Sequence, residues 1–275
     1  MRFKKIFAAW LLTAISALTA AAQEQQQQQR QQTVIGQARA VLVRLAELSR
    51  KQELQTEAAR EILIGELANP KAVSFGKMTD APDKILLLDK TRAVGRFQIP
   101  GVNDRTIDVY FYLKNDGASW KAYALRAFAL PAMVENLYGI WKERTDLSAD
   151  EKQEFANLKL TLAADKDLGV WFNENRASLD KLRTLAQQKS AAAPSPLYVR
   201  TDDRQFPEAA ALLKKLNLRL LTGGKNGDVE IVIGGMTDNT VGFVYSPSGK
   251  PPEITTYEYI WVEHLADNWY LFRTT

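Results

Sequence analysis

Cysteine is absent from the 275 residues and histidine occurs once, as His264. The first absence excludes a disulfide scaffold, a thiolate metal site, a cysteine nucleophile and an acylated lipoprotein cysteine. The second excludes any site built on two imidazoles, including the usual zinc-hydrolase constellations. An excess of either charge is also lacking. The chain carries 36 basic and 32 acidic residues, and three of the basic ones lie in residues 1–22, where there is no acid. The remainder holds 33 against 32, so nucleic acid loses its electrostatic basis as a partner. What is present, 46% apolar and 25% charged residues, is globular.

The first 22 residues have the layout of a Sec-type signal peptide. Arg2, Lys4 and Lys5 form a positive start, Ile6 to Leu18 an uncharged and largely apolar stretch, and Ala20-Ala21-Ala22 a small-residue cleavage site. That stretch is short for a membrane span, and no second run of its length follows. The expectation is a periplasmic or secreted protein without an integral span once the signal is removed; an uncleaved amino-terminal anchor is the alternative. Residues 23–33, with eight glutamines between Gln23 and Gln32, read as a disordered, solvated spacer.

Periodicity divides the rest. Val34, Ala38, Val41, Leu45 and Leu48 recur at helical spacing, with a bend or break expected between Ser49 and Glu57 and a stop at Asn69-Pro70. A period of two then predicts strands at 93–99, 106–114 and 120–129, an antiparallel meander turning at Asn115-Asp116-Gly117. Residues 131–189 read as a helical connector, with Ser148 and Glu151 as a capping box. The Pro- and Ala-rich stretch 190–196 reads as a linker. Residues 197–275 predict a small second α+β domain: a strand at 197–200, a helix opened by Pro207, and strands at 229–233, 240–245, 256–264 and 269–274. The fold expected is therefore α+β, with two modules of helix packed on antiparallel sheet (the first 34–130) joined by a helical connector. The two sheets also echo each other, Val94 to Pro100 aligning with Val241 to Pro247, and Tyr110, Tyr112 and Trp120 with Tyr259, Trp261 and Trp269.

Asp116-Gly117-Ala118-Ser119-Trp120-Lys121 and, more weakly, Asp267-Asn268-Trp269-Tyr270 open strands after a helix and a curled antiparallel sheet. In this the chain resembles the NTF2-like and cystatin-like superfamilies over about half its mature length. The resemblance implies a helix followed by a curled antiparallel sheet and, in the enzymatic members, acids and bases in a conical pocket. It does not settle function, since that superfamily includes enzymes, pocket binders and envelope accessory modules.

Alternation places Tyr257, Tyr259 and Trp261 on one side of the final hairpin, and Tyr110 and Tyr112 on one side of the first sheet. Flat rings with hydroxyl handles suit stacking on sugars or apolar peptide segments; the same rings would equally cover a sheet where a helix packs. Other motifs weaken on inspection. His264 next to Glu263 lacks an orienting partner, because neighbouring strand residues face opposite ways, and no nucleophile elbow surrounds Ser246 or Ser248. The Ser-x-x-Lys matches at Ser74 and Ser178 have none of their companion motifs. Asp165 to Gly169 fails as a calcium loop because Arg176 stands where an acid is needed. No metal ligand set and no cofactor site is expected. Together these features point to an exported, non-catalytic binding or accessory protein of the bacterial envelope, its partner a protein, peptide or glycan. The alternatives are an NTF2-like hydrolase or isomerase using Asp108 with Tyr110 or Tyr112, and a structural protein docking through amphipathic helices such as Leu168 to Leu185.

Overall fold

A computed structural model describes residues 2–69, 78–190, 196–224 and 226–275, with side chains from Thr19 onward. The Ser74 motif and most of the 190–196 linker lie outside the described residues. Helix α1 runs without interruption from Arg2–Arg50. The glutamine segment, expected as a disordered spacer, is part of this helix, and every residue from Thr19 to Thr33 is exposed. Helix α1 contains no proline and a single glycine, Gly36, and Gln, Ala and Leu all favour the helix. Among the described residues no helix is long and apolar enough to cross a membrane.

After α1 come a short helix α2 (Glu57–Arg60) and a 3-10 turn (Gly65–Ala68), so the polar interval after Ser49 breaks the helix. The first sheet has four antiparallel strands in sequence order: β1 (Lys84–Leu87), β2 (Arg92–Pro100), β3 (Thr106–Asn115) and β4 (Trp120–Ala127). One face carries Ala93, Phe97, Val109, Phe111 and Leu113, which pack on Ala38, Leu42, Leu45 and Leu48 of α1. The approach is close enough that Gly95 has no room for a side chain. A Cβ there would stand 2.2 Å from the Leu42 Cδ1.

Helices α3 (Ala132–Glu143), α4 (Ala149–Thr161) and α5 (Asp165–Ser190) follow. The capping box at the start of α4 is formed: Glu151 N donates to Ser148 Oγ and Ser148 N donates to Glu151 Oε2. The second sheet holds β5 (Leu197–Arg200), β6 (Leu220–Gly223), β7 (Val229–Met236), β8 (Asn239–Tyr245), β9 (Tyr259–Ala266) and β10 (Trp269–Thr274), in the order β5-β6-β7-β8-β10-β9, with α6 (Pro207–Lys215) between β5 and β6. Its outer face buries Val199, Leu221, Ile231, Phe243 and Leu271 beneath Leu168, Phe172, Leu179 and Leu182 of α5 and Leu213 of α6. Helix α5, expected within a connector, thus supplies a large part of the second module's core.

Among the described residues the fold is mixed α+β with two antiparallel sheets, of four and six strands. The sheets differ in plan. In the aligned trio β2, β3 and β4 the central strand is β3, whereas in β8, β9 and β10 it is β10. The sequence echo therefore does not extend to strand order.

Candidate functional site

Two places gather chemistry. The first is the joint between the modules. On β2 and β3, Arg96 pairs with Tyr110 and Gln98 with Asp108, so these side chains share the face turned away from α1. That face meets the edge strand β9, the segment before it, and the start of α5. Tyr110 stacks on Trp261 with ring centroids 4.9 Å apart and donates to Asp165 Oδ2 at 2.7 Å. Tyr112 donates to the carbonyls of Ile260 and Thr255 at 2.6 and 3.1 Å. Trp261 Nε1 donates to Glu263 at 3.1 Å.

A charged cluster surrounds this stack. Asp165 accepts from Arg273 Nε at 2.6 Å and Arg96 Nη1 at 3.2 Å. Arg96 also reaches Asp83 and Glu263, and Lys84 pairs with Glu263. Asp108 accepts the backbone N–H of Asp165 at 2.6 Å. Arg96, Asp108, Asp165 and Arg273 are all buried. Burial, reinforced by the neighbouring Asp165, pushes Asp108 up to about 6. Burial acts on Asp165 in the same direction, but Arg273 and Arg96 outweigh it and hold this carboxyl below the usual range. Two carboxyls driven apart in this way resemble an acid–base pair. Here, however, protein donors already occupy both. The hydrogen bonds and ion pairs above join elements distant in sequence, which is the arrangement of a structural clasp.

The sequence-predicted rings therefore divide. Tyr110, Tyr112 and Trp261 are buried in the joint, and Tyr259 is half-buried, edge-on to Phe272. Only Tyr257, 83% exposed, is freely accessible to solvent. Tyr110 and Tyr112 are covered by the second module's edge strand and the segment before it, with the first residue of α5, Asp165, on the Tyr110 hydroxyl. His264 is exposed, bonded to the Asp267 carbonyl, and Ser246 Oγ lies against Ser248 Oγ. Among the described residues no group of three or more acids or histidines is arranged to hold a metal ion.

The second place is the inner face of the second sheet. Strand register lines its side chains into two rungs. One runs Tyr198, Thr222, Glu230, Val244, Tyr270, and the other Arg200, Leu220, Val232, Gly242, Phe272. The far ends of both rungs are closed. Val244, Tyr270 and Phe272 are buried with Ile254, and Tyr270 donates to the Gly249 carbonyl, so residues 246–258 fold over them. The near ends are more open, with Tyr198 and Arg200 of β5 exposed and Leu220, Thr222 and Val232 half-buried. Tyr198 is 63% exposed, and a groove of about 500 Å³ is lined by Tyr198, Arg200, Leu220, Val232, Thr237 and Thr240. Glu230 sits where the covered part begins, and burial raises its pKa, with no cationic partner among the described residues to offset it. The period-two pattern of 229–233 carries these positions. β5 and β6 are four residues each, too short for alternation to reveal a shared face.

The chain matches no family model, no curated protein and no solved structure.

Proposed function

We propose that this chain is an exported binding protein of the bacterial envelope, and that its ligand lies on the more open part of the second sheet. The observation that carries this reading is the unequal coverage of one continuous face. The Val244, Tyr270 and Phe272 end is buried, while Tyr198, Arg200, Leu220 and Val232 line a groove beside it. Aromatic, cationic and aliphatic side chains presented together on a rigid sheet suit a ligand with both apolar and polar groups. The joint between the modules serves to hold that sheet in place. Export rests on the layout of residues 1–22.

The test is a chemical-shift titration of the isotope-labelled protein with short synthetic peptides and soluble peptidoglycan fragments. Perturbations should cluster on Tyr198, Leu220, Thr222 and Val232. Perturbations confined to Tyr257 and its neighbours, or none with any ligand at millimolar concentration, would refute it. A second reading, an acid–base enzyme, draws on the opposed pKa shifts of Asp108 and Asp165. It requires turnover that disappears in Asp108→Asn while the fold persists.

A further inference from the structure

The open groove lies beside an unpaired sheet edge. Strand β5 pairs with β6 through Leu197–Gly223, Tyr198–Thr222, Val199–Leu221 and Arg200–Leu220, and among the described residues no strand pairs with its other side. Such an edge leaves backbone N–H and C=O groups free to bond another chain. The β4 and β9 edges are less available. The segment 62–66 reaches β4, with Ile64 N donating to the Ala122 carbonyl and Ala122 N to that of Ile62. β9 lies against the first sheet through Trp261 and Glu263.

β5 also has a groove on each side. The 500 Å³ groove begins at Tyr198 and Arg200 on the inner face. On the outer face, about 210 Å³ of mainly apolar space is lined by Leu185, Leu197, Val199, Phe206, Pro207 and Leu221. Successive side chains of a strand point to opposite faces, so a strand laid along β5 would present alternate residues to these two environments. The charges nearby favour an acidic occupant. Lys189, Arg200 and Arg204 form no ion pair among the described residues. Against these three cations stand Asp202 and Asp203, which line the inner groove with Arg200. Asp203 accepts the backbone N–H groups of Gln205 and Phe206 and keeps its charge, while Glu208 is offset by Lys181, so the cations exceed the free acids by one.

We propose that β5 binds an extended peptide as a seventh strand, with aliphatic residues toward the outer groove and acidic residues toward Arg200. This inference deepens the proposed binding function and rests on it. Main-chain pairing would supply affinity, and the two grooves and the cations selectivity.

The experiment uses the blocked hexapeptides Ac-Val-Glu-Val-Glu-Val-Glu-NH2 and Ac-Val-Lys-Val-Lys-Val-Lys-NH2. Both are titrated into the full chain and followed by calorimetry and amide hydrogen exchange. The Val/Glu peptide should bind at least tenfold more tightly and slow exchange at 197–200. Methylating alternate peptide nitrogens should abolish binding, and Arg200→Glu, at an exposed position, should reverse the preference. Equal binding of both peptides, binding that survives N-methylation, or binding without protection at 197–200 would overturn strand addition. If shifts still clustered on Thr222 and Val232 with other ligands, the broader reading would survive. Protection of 197–200 that rises with protein concentration and no peptide present would make a second copy the occupant, and would also overturn the proposal.

Discussion

Removing Arg273 should expose the cost of the charge buried at the joint. Its Nε lies 2.6 Å from Asp165 Oδ1 and its Nη2 2.6 Å from the Ala163 carbonyl. The side chain is 4% exposed and that of Asp165 fully buried. Arg273→Met keeps most of the aliphatic volume but leaves Asp165 with Tyr110 and with Arg96, which is already shared with Asp83 and Glu263. Breaking a buried pair on one side costs about 3–5 kcal/mol, because the remaining ion stays desolvated. At about 2–4 °C per kcal/mol for a chain of this size, the midpoint should fall by roughly 6–20 °C. Urea unfolding can be followed by tryptophan fluorescence, since Trp261 and Trp269 are buried. Adding Asp165→Asn removes the orphaned charge, so the double variant should be more stable than Arg273→Met alone. A loss below about 1 kcal/mol, the value of a solvent-exposed pair, would refute the reasoning. So would a double variant that loses the sum of the two single costs.

Asp108 gives a pH dependence of definite sign. Its pKa rises from 3.8 to about 6 in the folded chain, so the folded state holds this proton more tightly than the unfolded state. The contribution is present in full below about pH 4 and is lost as pH rises through 6. It amounts to about 2–3 kcal/mol. Urea midpoints at pH 4.5 and 7.5 should therefore differ less in Asp108→Asn than in the parent, and an unchanged difference would remove Asp108 as its source. Gly242→Ala places a Cβ 2.3 Å from the Ile231 carbonyl and 2.9 Å from the Phe272 ring. Because backbone must move, the cost should reach about 3 kcal/mol by the same unfolding assay; a neutral change would show that the sheet yields there. Ser148→Ala removes one half of the capping box on α4 and should cost about 1 kcal/mol, whereas Ser148→Asp should retain most of the stability.

Much of the fold was legible because its patterns are long. β3 alternates over ten residues, so Val109, Phe111 and Leu113 fall on one face and Tyr110 and Tyr112 on the other, as the coordinates place them. The Ser148–Glu151 pair and Pro207 mark helix starts through local chemistry, and both stand where helices begin. β1 and β6, of four residues each, are too short to establish a period, although β5 of the same length is readable at 197–200. The role of α5 was misjudged for a different reason. Its apolar stripe of Leu168, Phe172, Leu179 and Leu182 predicts a buried face without naming the partner, and the partner is the sheet that follows it.

The joint shows the same limit in stronger form. Alternation assigns Asp108, Tyr110 and Tyr112 to one face of β3, and for an isolated sheet such a face reads as a surface. Asp165 reads as the start of a helix, and Arg273 as the penultimate strand position before a terminal pair of threonines. None of these positions is anomalous in its own segment. Their burial becomes intelligible only when α5 brings the Asp165 carboxylate between Arg96, 69 residues earlier, and Arg273, 108 residues later. Desolvating any one of the three alone would be prohibitive, so the cluster can exist only when both modules are docked. The buried charges therefore specify one docking geometry over others. On the reading proposed above, that fixed geometry leaves β5 at a free edge with a groove on either side.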